Sequence, residues 1–93
     1  MAILVDGANW PWRDRMWCHL VSDTSLDELH EFARAQEIPE RAFGGDHYDV
    51  PEDVRPTLIA AGARSVSSQD IVRALYGAGI RQRPNHSKRD VTR

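Results

Sequence analysis

The chain has one cysteine, Cys18, and one lysine, Lys88, among its 93 residues. A lone cysteine excludes an intramolecular disulfide and a CxxC-type metal cage, and makes a reducing, cytoplasmic setting the default expectation. No apolar run approaches the roughly 20 residues that span a bilayer, so no membrane association is expected. The opening "MAILVDGANW" has no charged n-region, and its apolar run is only Ala2 to Val5, which does not read as a secretory leader. Internal repeats are absent, and so is a G-x-S-x-G elbow that would name a serine nucleophile. Eleven of the twelve basic residues are arginine, which reads as compositional bias and not by itself as a binding signal.

What is present is an ordinary globular balance, 41% hydrophobic and 28% charged. The net charge of −2 hides an asymmetry: residues 1–79 carry seven arginines against thirteen acids, and residues 80–93 carry five basic residues against one. The reading is one α/β domain over residues 1–80 and a basic C-terminal tail over 81–93. Such a tail is either a solvated terminus or a phosphate-neutralising arm.

Apolar periodicity places the elements. "AILVD" (2–6) reads as a buried strand closed by Gly7, and "GANWPWRDR" as a loop. "MWCHLVS" (16–22) alternates as a strand, with Trp17, His19 and Val21 on one face and Cys18 and Leu20 on the other. "SLDELHEFARAQEI" (25–38) is a helix opened by a Ser25/Glu28 capping box, with Leu26, Leu29, Phe32 and Ala33 as its apolar stripe. "DHYDV" (46–50) reads as a short third strand, "DVRPTLIAAG" as a helix capped by Asp53, and "ARSVS" as a fourth strand. "SSQDIVRALYGAG" closes the order as a helix with a Ser67/Asp70 cap.

The order β-β-α-β-α-β-α predicts a small mixed, mostly parallel four-stranded sheet with three helices. Nine residues between the first two strands are too few for a crossover helix, so those two are expected antiparallel. The helical crossovers predict that strands two, three and four run parallel.

This topology gathers polar residues at one sheet edge. Asp6, at the end of the first strand, comes alongside Trp17 and His19, and the start of the third strand brings Asp46 and His47 to the same place. His47 and Asp49 share a strand face about 6.5 Å apart. His19 has two readings, a core histidine bonded to the backbone or a site residue. Asp49 likewise serves a cap or a site, whereas His47 has no structural excuse. Asp23 lies roughly 13 Å beyond His19 along the strand and suits a turn or cap. His30 sits at the rim of the helix stripe and reads as packing, Tyr48 as core with its hydroxyl at the surface, and Cys18 as buried. Trp10, Trp12 and Trp17, interleaved with Arg13 and Arg15, form either a platform for a base beside a phosphate or a plug on the open end of the sheet.

On the motifs "VDGANWPWRDRMWCHLVSD", "LDELHEFA", "GDHYDV" and "GARSVSSQDIVRAL", the chain resembles the domain of unknown function 4031 family, small proteins of bacteria and their phages with an H-Y-D motif. The resemblance runs from residue 3 to about 80. It implies that Asp6, His19, Asp23, His30, His47, Tyr48 and Asp49 belong to the shared pattern, and it names no reaction. Gly7 departs from it, standing where many relatives are expected to carry a second acid. "LVDGAN" also resembles, more weakly, the opening strand of NYN/PIN-type ribonuclease domains, with Asp6 and Asn9 matching their Mg²⁺-site residues. The paired-Asp motif of those domains is missing.

Three functions follow as expectations. The leading one is a polar-ligand, nucleotide or nucleic-acid site around Asp6, His19 and His47, with Trp10, Trp12, Arg13, Arg15 and Asp49 as further ligand contacts. A second is a metal-dependent hydrolase or nuclease-like enzyme with His19, His47 and Asp49 as catalytic candidates and Asp6, His19, His47 and Asp49 as ligands to a divalent metal. The third is a homodimeric interaction module that buries the Trp loop.

Overall fold

The computed structural model describes residues 2–7 and 10–81; Asn9, the side chains of Trp10 and Trp12, and the basic stretch 82–93 lie outside it. Among the described residues five strands and three helices follow one another: β1 (Ile3–Val5), β2 (Trp10–Trp12), β3 (Arg15–Ser22), α1 (Leu26–Ala35), β4 (Tyr48–Pro51), α2 (Arg55–Ala60), β5 (Arg64–Ser65) and α3 (Ser68–Gly77). Single turns of 3₁₀ helix at Glu40–Ala42 and Glu52–Val54 lead towards β4 and α2.

β3 is the spine of the sheet. Trp17 pairs with Trp10 on one flank and Pro51 on the other, and Leu20 pairs with Val5 and Tyr48. β1 and β2 therefore lie end to end on the same flank of β3, interrupted around Gly7, and the five strands make a sheet four strands wide. The segment "WPW", expected within a loop, is thus the distal part of a long hairpin. Its tight turn holds Arg13 and Asp14 at φ of 52° and 61°. Both positions are left-handed, as in hairpin turns that usually recruit Asn-Gly.

The antiparallel pairing expected of the first two strands is present between β1 and β3, but the sheet is mostly antiparallel, against expectation. β3 pairs antiparallel with β4 as well, and among the described residues only β1 with β5 is parallel. The cause lies after α1. Residues 36–47 are long enough to carry the chain back along the sheet before β4 begins, and Phe43 bridges Tyr48 antiparallel across a turn closed by the Gly44 N–H donating to the His47 carbonyl. Gly45 at φ 99° makes that reversal without a Cβ penalty. The third strand accordingly starts at Tyr48 and not Asp46, and the fourth shrinks to Arg64–Ser65.

Helix signals mostly hold. Ser25 accepts from the Glu28 N–H, but the Glu28 carboxylate turns to the buried Ser22 hydroxyl, which itself accepts from the Thr24 and Ser25 N–H groups. That cluster fastens the β3–α1 junction. Ser67 and Asp70 complete a reciprocal capping box at α3. Asp53 does not cap α2: it falls inside the preceding 3₁₀ turn, and α2 starts from Val54 with no side-chain cap.

Two apolar layers sandwich the sheet. Val5, Cys18, Leu20, Tyr48 and Val50 meet Leu29, Ala33 and Leu58 from α1 and α2. On the opposite face Leu4 and Val21 meet Ile71 and Leu75 from α3. The period-2 pattern of β3 sets this division, and each fully buried Leu contributes roughly 2 kcal/mol.

Cys18 lies wholly inside the first layer, and burial, with the nearby Asp6 carboxylate adding to it, pushes its thiol up to about 11. The raised value makes the neutral thiol the form that folding favours. Its contribution is fully present below the unfolded thiol's range and is lost as pH rises towards the folded value. The unfolding free energy from urea titration is expected to fall between pH 8 and pH 10 by roughly 1 kcal/mol more in the native chain than in Cys18→Ala. Iodoacetamide at pH 8 should label Cys18 only above the urea transition; rapid labelling of the folded chain would contradict this burial.

Candidate functional site

Asp6 leaves the end of β1 with its side chain fully buried. Its Oδ1 accepts the His19 backbone N–H at 2.7 Å, and Oδ2 lies 2.8 Å from His19 Nδ1 and accepts the Ser68 hydroxyl at 2.9 Å. The Arg55 Nε donates to the Asp6 carbonyl at 2.8 Å, and its Nη2 to the Ser65 hydroxyl at 2.5 Å. A buried carboxylate is tolerated when its oxygens are hydrogen-bonded, and here a backbone amide, an imidazole and a hydroxyl all serve it. The bond to Nδ1 orients the His19 ring and makes Nε2 the nitrogen that can carry a lone pair outward.

His47 has a support of the same kind. Its Nδ1 lies 2.5 Å from Asp46 Oδ1, and Asp46 is gripped by Arg81, at 2.6 Å from Nε to Oδ2 and 3.1 Å from Nη2 to Oδ1. The Arg81 hydrogen bonds, with His47 adding to them, hold the Asp46 carboxyl below its ordinary range. Asp46 in turn raises the Arg81 guanidinium. Gly44 packs under the His47 ring: a Cβ there would sit 3.0 Å from Nε2 and 3.1 Å from Cε1.

The two histidines meet. Their ring centroids are 5.4 Å apart, edge to face. Asp49 is the cross-strand partner of His19, and its Oδ1 lies 3.2 Å from His47 Nε2. That oxygen is buried and has no hydrogen-bond partner among the described residues. With His47 Nδ1 donating to Asp46, a neutral ring presents a lone pair to an oxygen that also has only lone pairs. Either a second proton or a cation resolves that clash. One ligand atom each from His19, His47 and Asp49 lie within 4.8 Å of one another.

Asp6, His19, His47 and Asp49 therefore come together, while Asp6 stands behind His19 with both oxygens engaged and offers neither outward. Trp17 is two residues from His19 on the same face of β3 and is half-buried; Arg15 is two further on and exposed. Arg13 occupies the hairpin turn. Trp10 and Trp12 have backbone positions opposite Trp17 and Arg15, and their rings lie outside the described residues. Asp23 is at the far end of β3, where it accepts the Ala2 N–H and the Thr24 hydroxyl; the Ala2 bond lowers its carboxyl. His30 stands apart from the cluster, with Nδ1 2.7 Å from the Tyr48 hydroxyl and its ring against Phe43.

Ser68, Arg55, Asp46 and Arg81 hold this arrangement; sequence placed Asp46 at this edge without a role there and singled out none of the other three. Asp46 had a local signal, being an acid adjacent to a histidine. Arg55 and Ser68 had none, since they meet Asp6 from 49 and 62 residues away.

Residues 3–78 match the family described as Protein of unknown function (DUF4031), and the chain belongs to that family. No curated protein and no solved structure matches it. Among the described residues no helix is long and apolar enough to cross a membrane.

Asp6 should dominate stability. Asp6→Ala strands three donors in the interior and is expected to cost about 3 kcal/mol or more, whereas Ser68→Ala, removing one hydroxyl, is expected to cost about 1 kcal/mol. Urea denaturation at pH 7 checks both, and equal costs would show that the carboxylate is not the hub.

Proposed function

We propose that this member of the DUF4031 family binds one divalent cation of the Zn²⁺ or Mn²⁺ kind through His19, His47 and Asp49, as a metal-dependent hydrolase. The carrying observation is the buried Asp49 oxygen that lacks a hydrogen-bond partner and faces His47 Nε2, within 4.8 Å of a His19 ligand atom. Imidazole nitrogens with a carboxylate suit a borderline metal. Each histidine is backed by a carboxylate on Nδ1, which is how metal-binding imidazoles are commonly oriented and made more basic.

Ligand atoms around tetrahedral zinc stand roughly 3.5 Å apart, so closing this set requires shifts on the order of 1 Å in partly exposed side chains. Three protein ligands leave a position for water, the pattern of catalytic and not structural zinc. The chemistry a cation supplies there is a water made nucleophilic near neutral pH. This chain's own residues orient the imidazoles through Asp6 and Asp46, and bring the Asp49 carboxylate to the same point. Asp6 supports one ligand in this reading and is not itself a ligand.

The metal-free reading makes His47 an imidazolium clasped between Asp46 and Asp49, in a polar-ligand site. Calorimetric titration of EDTA-stripped protein with Zn²⁺ and Mn²⁺ separates the two. One equivalent is expected to bind, with saturable binding lost in His47→Ala and Asp49→Asn and affinity reduced about 10- to 100-fold in Asp46→Asn. A Gly44→Ala chain should keep its far-ultraviolet spectrum and lose affinity, because its methyl displaces the His47 ring. Folded protein that takes up neither metal at millimolar concentration overturns the proposal.

A further inference from the structure

Deepening the metal-site reading, on which its catalytic part rests, we infer that the substrate is single-stranded nucleic acid, laid along the face of β3 from Arg15 over Trp17 to the His19–His47–Asp49 cluster. Alternation on β3 sets Arg15, Trp17 and His19 on one face at steps of about 6.5 Å, and Asp49 and Pro51 pair across from His19 and Trp17. The row thus presents a cation, an aromatic ring and the candidate metal centre in succession. A single strand repeats as phosphate, base, phosphate.

A groove of about 830 Å³ reaches this row: Arg15, Trp17 and Asp49 line it together with Arg13 and Arg41, and its remaining walls are Glu37 and largely apolar residues of the α1 and α2 layer such as Val50 and Leu58. It joins the basic and aromatic residues to one of the proposed ligands. Arg15 and Arg41 are exposed and make no salt bridge among the described residues. A second groove, of about 730 Å³ beside His30 and Tyr48, holds three acids and one arginine, and its charge disfavours phosphate.

A base stacked on Trp17 places one flanking phosphate towards Arg15 and the other towards the cluster. Hydrolysis there adds water to phosphorus and breaks one P–O ester bond. The phosphate product keeps the water oxygen, and the departing sugar oxygen takes up a proton. The body of the chain is acidic, at −6 over residues 1–79 with this row's arginines included, so only a short run of phosphates is engaged. Two or three neutralised phosphates give a slope of log affinity on log salt of about −1.4 to −2.1.

The test is fluorescence anisotropy of the full chain in EDTA with a labelled oligothymidylate eight nucleotides long, from 50 to 300 mM salt. Trp17→Leu, which keeps apolar bulk and removes the ring, is expected to weaken binding roughly 5- to 150-fold. The Arg15→Gln, Arg41→Gln pair is expected to make the slope shallower by about 1.4. Binding that all three substitutions leave unchanged assigns the oligomer to the basic residues beyond 81 and overturns the proposal. Thymidine monophosphate competing as well as the oligomer overturns its single-strand part. Working in EDTA separates the two readings. Binding that persists, without cleavage when Zn²⁺ or Mn²⁺ is restored, supports the row and counts against the metal site. No binding in EDTA, with metal uptake intact, rejects the row alone.

Discussion

The Asp6 carboxylate is the contact on which the rest of the arrangement depends. It sits where β1 breaks off before β2, beside β3, and bonds the backbone and ring of His19 and the first residue of α3. Arg55 adds α2 by gripping the Asp6 carbonyl. An ion placed so deep is costly unless every lone pair is met, which means that the elements supplying its donors must arrive in one register. The carboxylate thus couples strand pairing to helix docking. The imidazole it orients is a by-product of the same bonding, delivered in a fixed tautomer to the outer face.

His47 reaches that face by another route. The turn at Gly44–Gly45 sends β4 back along β3, and alternation then puts His47 and Asp49 on the side of His19 while Tyr48 and Val50 go to the core. Its anchor is peripheral where that of His19 is central: Asp46 is held by Arg81, just past the end of α3. One imidazole is therefore fixed by the folding core and the other by a clasp across partly exposed chain.

How far this was legible in the sequence divides by range. The meeting of Asp6 with His19 followed from a nine-residue connection that permits only an antiparallel return, and the shared face of His47 and Asp49 followed from alternation. Strand direction after α1 was not legible, because a helix followed by twelve irregular residues fits either sense. The grouping of Asp6, His19 and His47 survived that error since β4 is short and His19 lies near the middle of β3, so either direction brings them close. Ser68 was hidden by its neighbour: the capping box of α3 accounts for Ser67 and Asp70 and leaves no pattern to mark the serine between them.

Lengths explain why the cluster is uncovered at all. α3 has ten residues, about 15 Å of helix, against eight residues and roughly 26 Å of β3. Its first turn is tied to Asp6 at the level of His19, and from there it runs over Leu4 and Val21 towards the other end of the strand. Among the described residues about half of the β3 face is left without a helix, and that half carries Arg15, Trp17 and His19. A helix docked one turn earlier would bury the row and would require apolar residues there. The polar and aromatic residues on this part of the strand are thus compatible with the fold because the Ser68–Asp6 bond fixes where α3 begins.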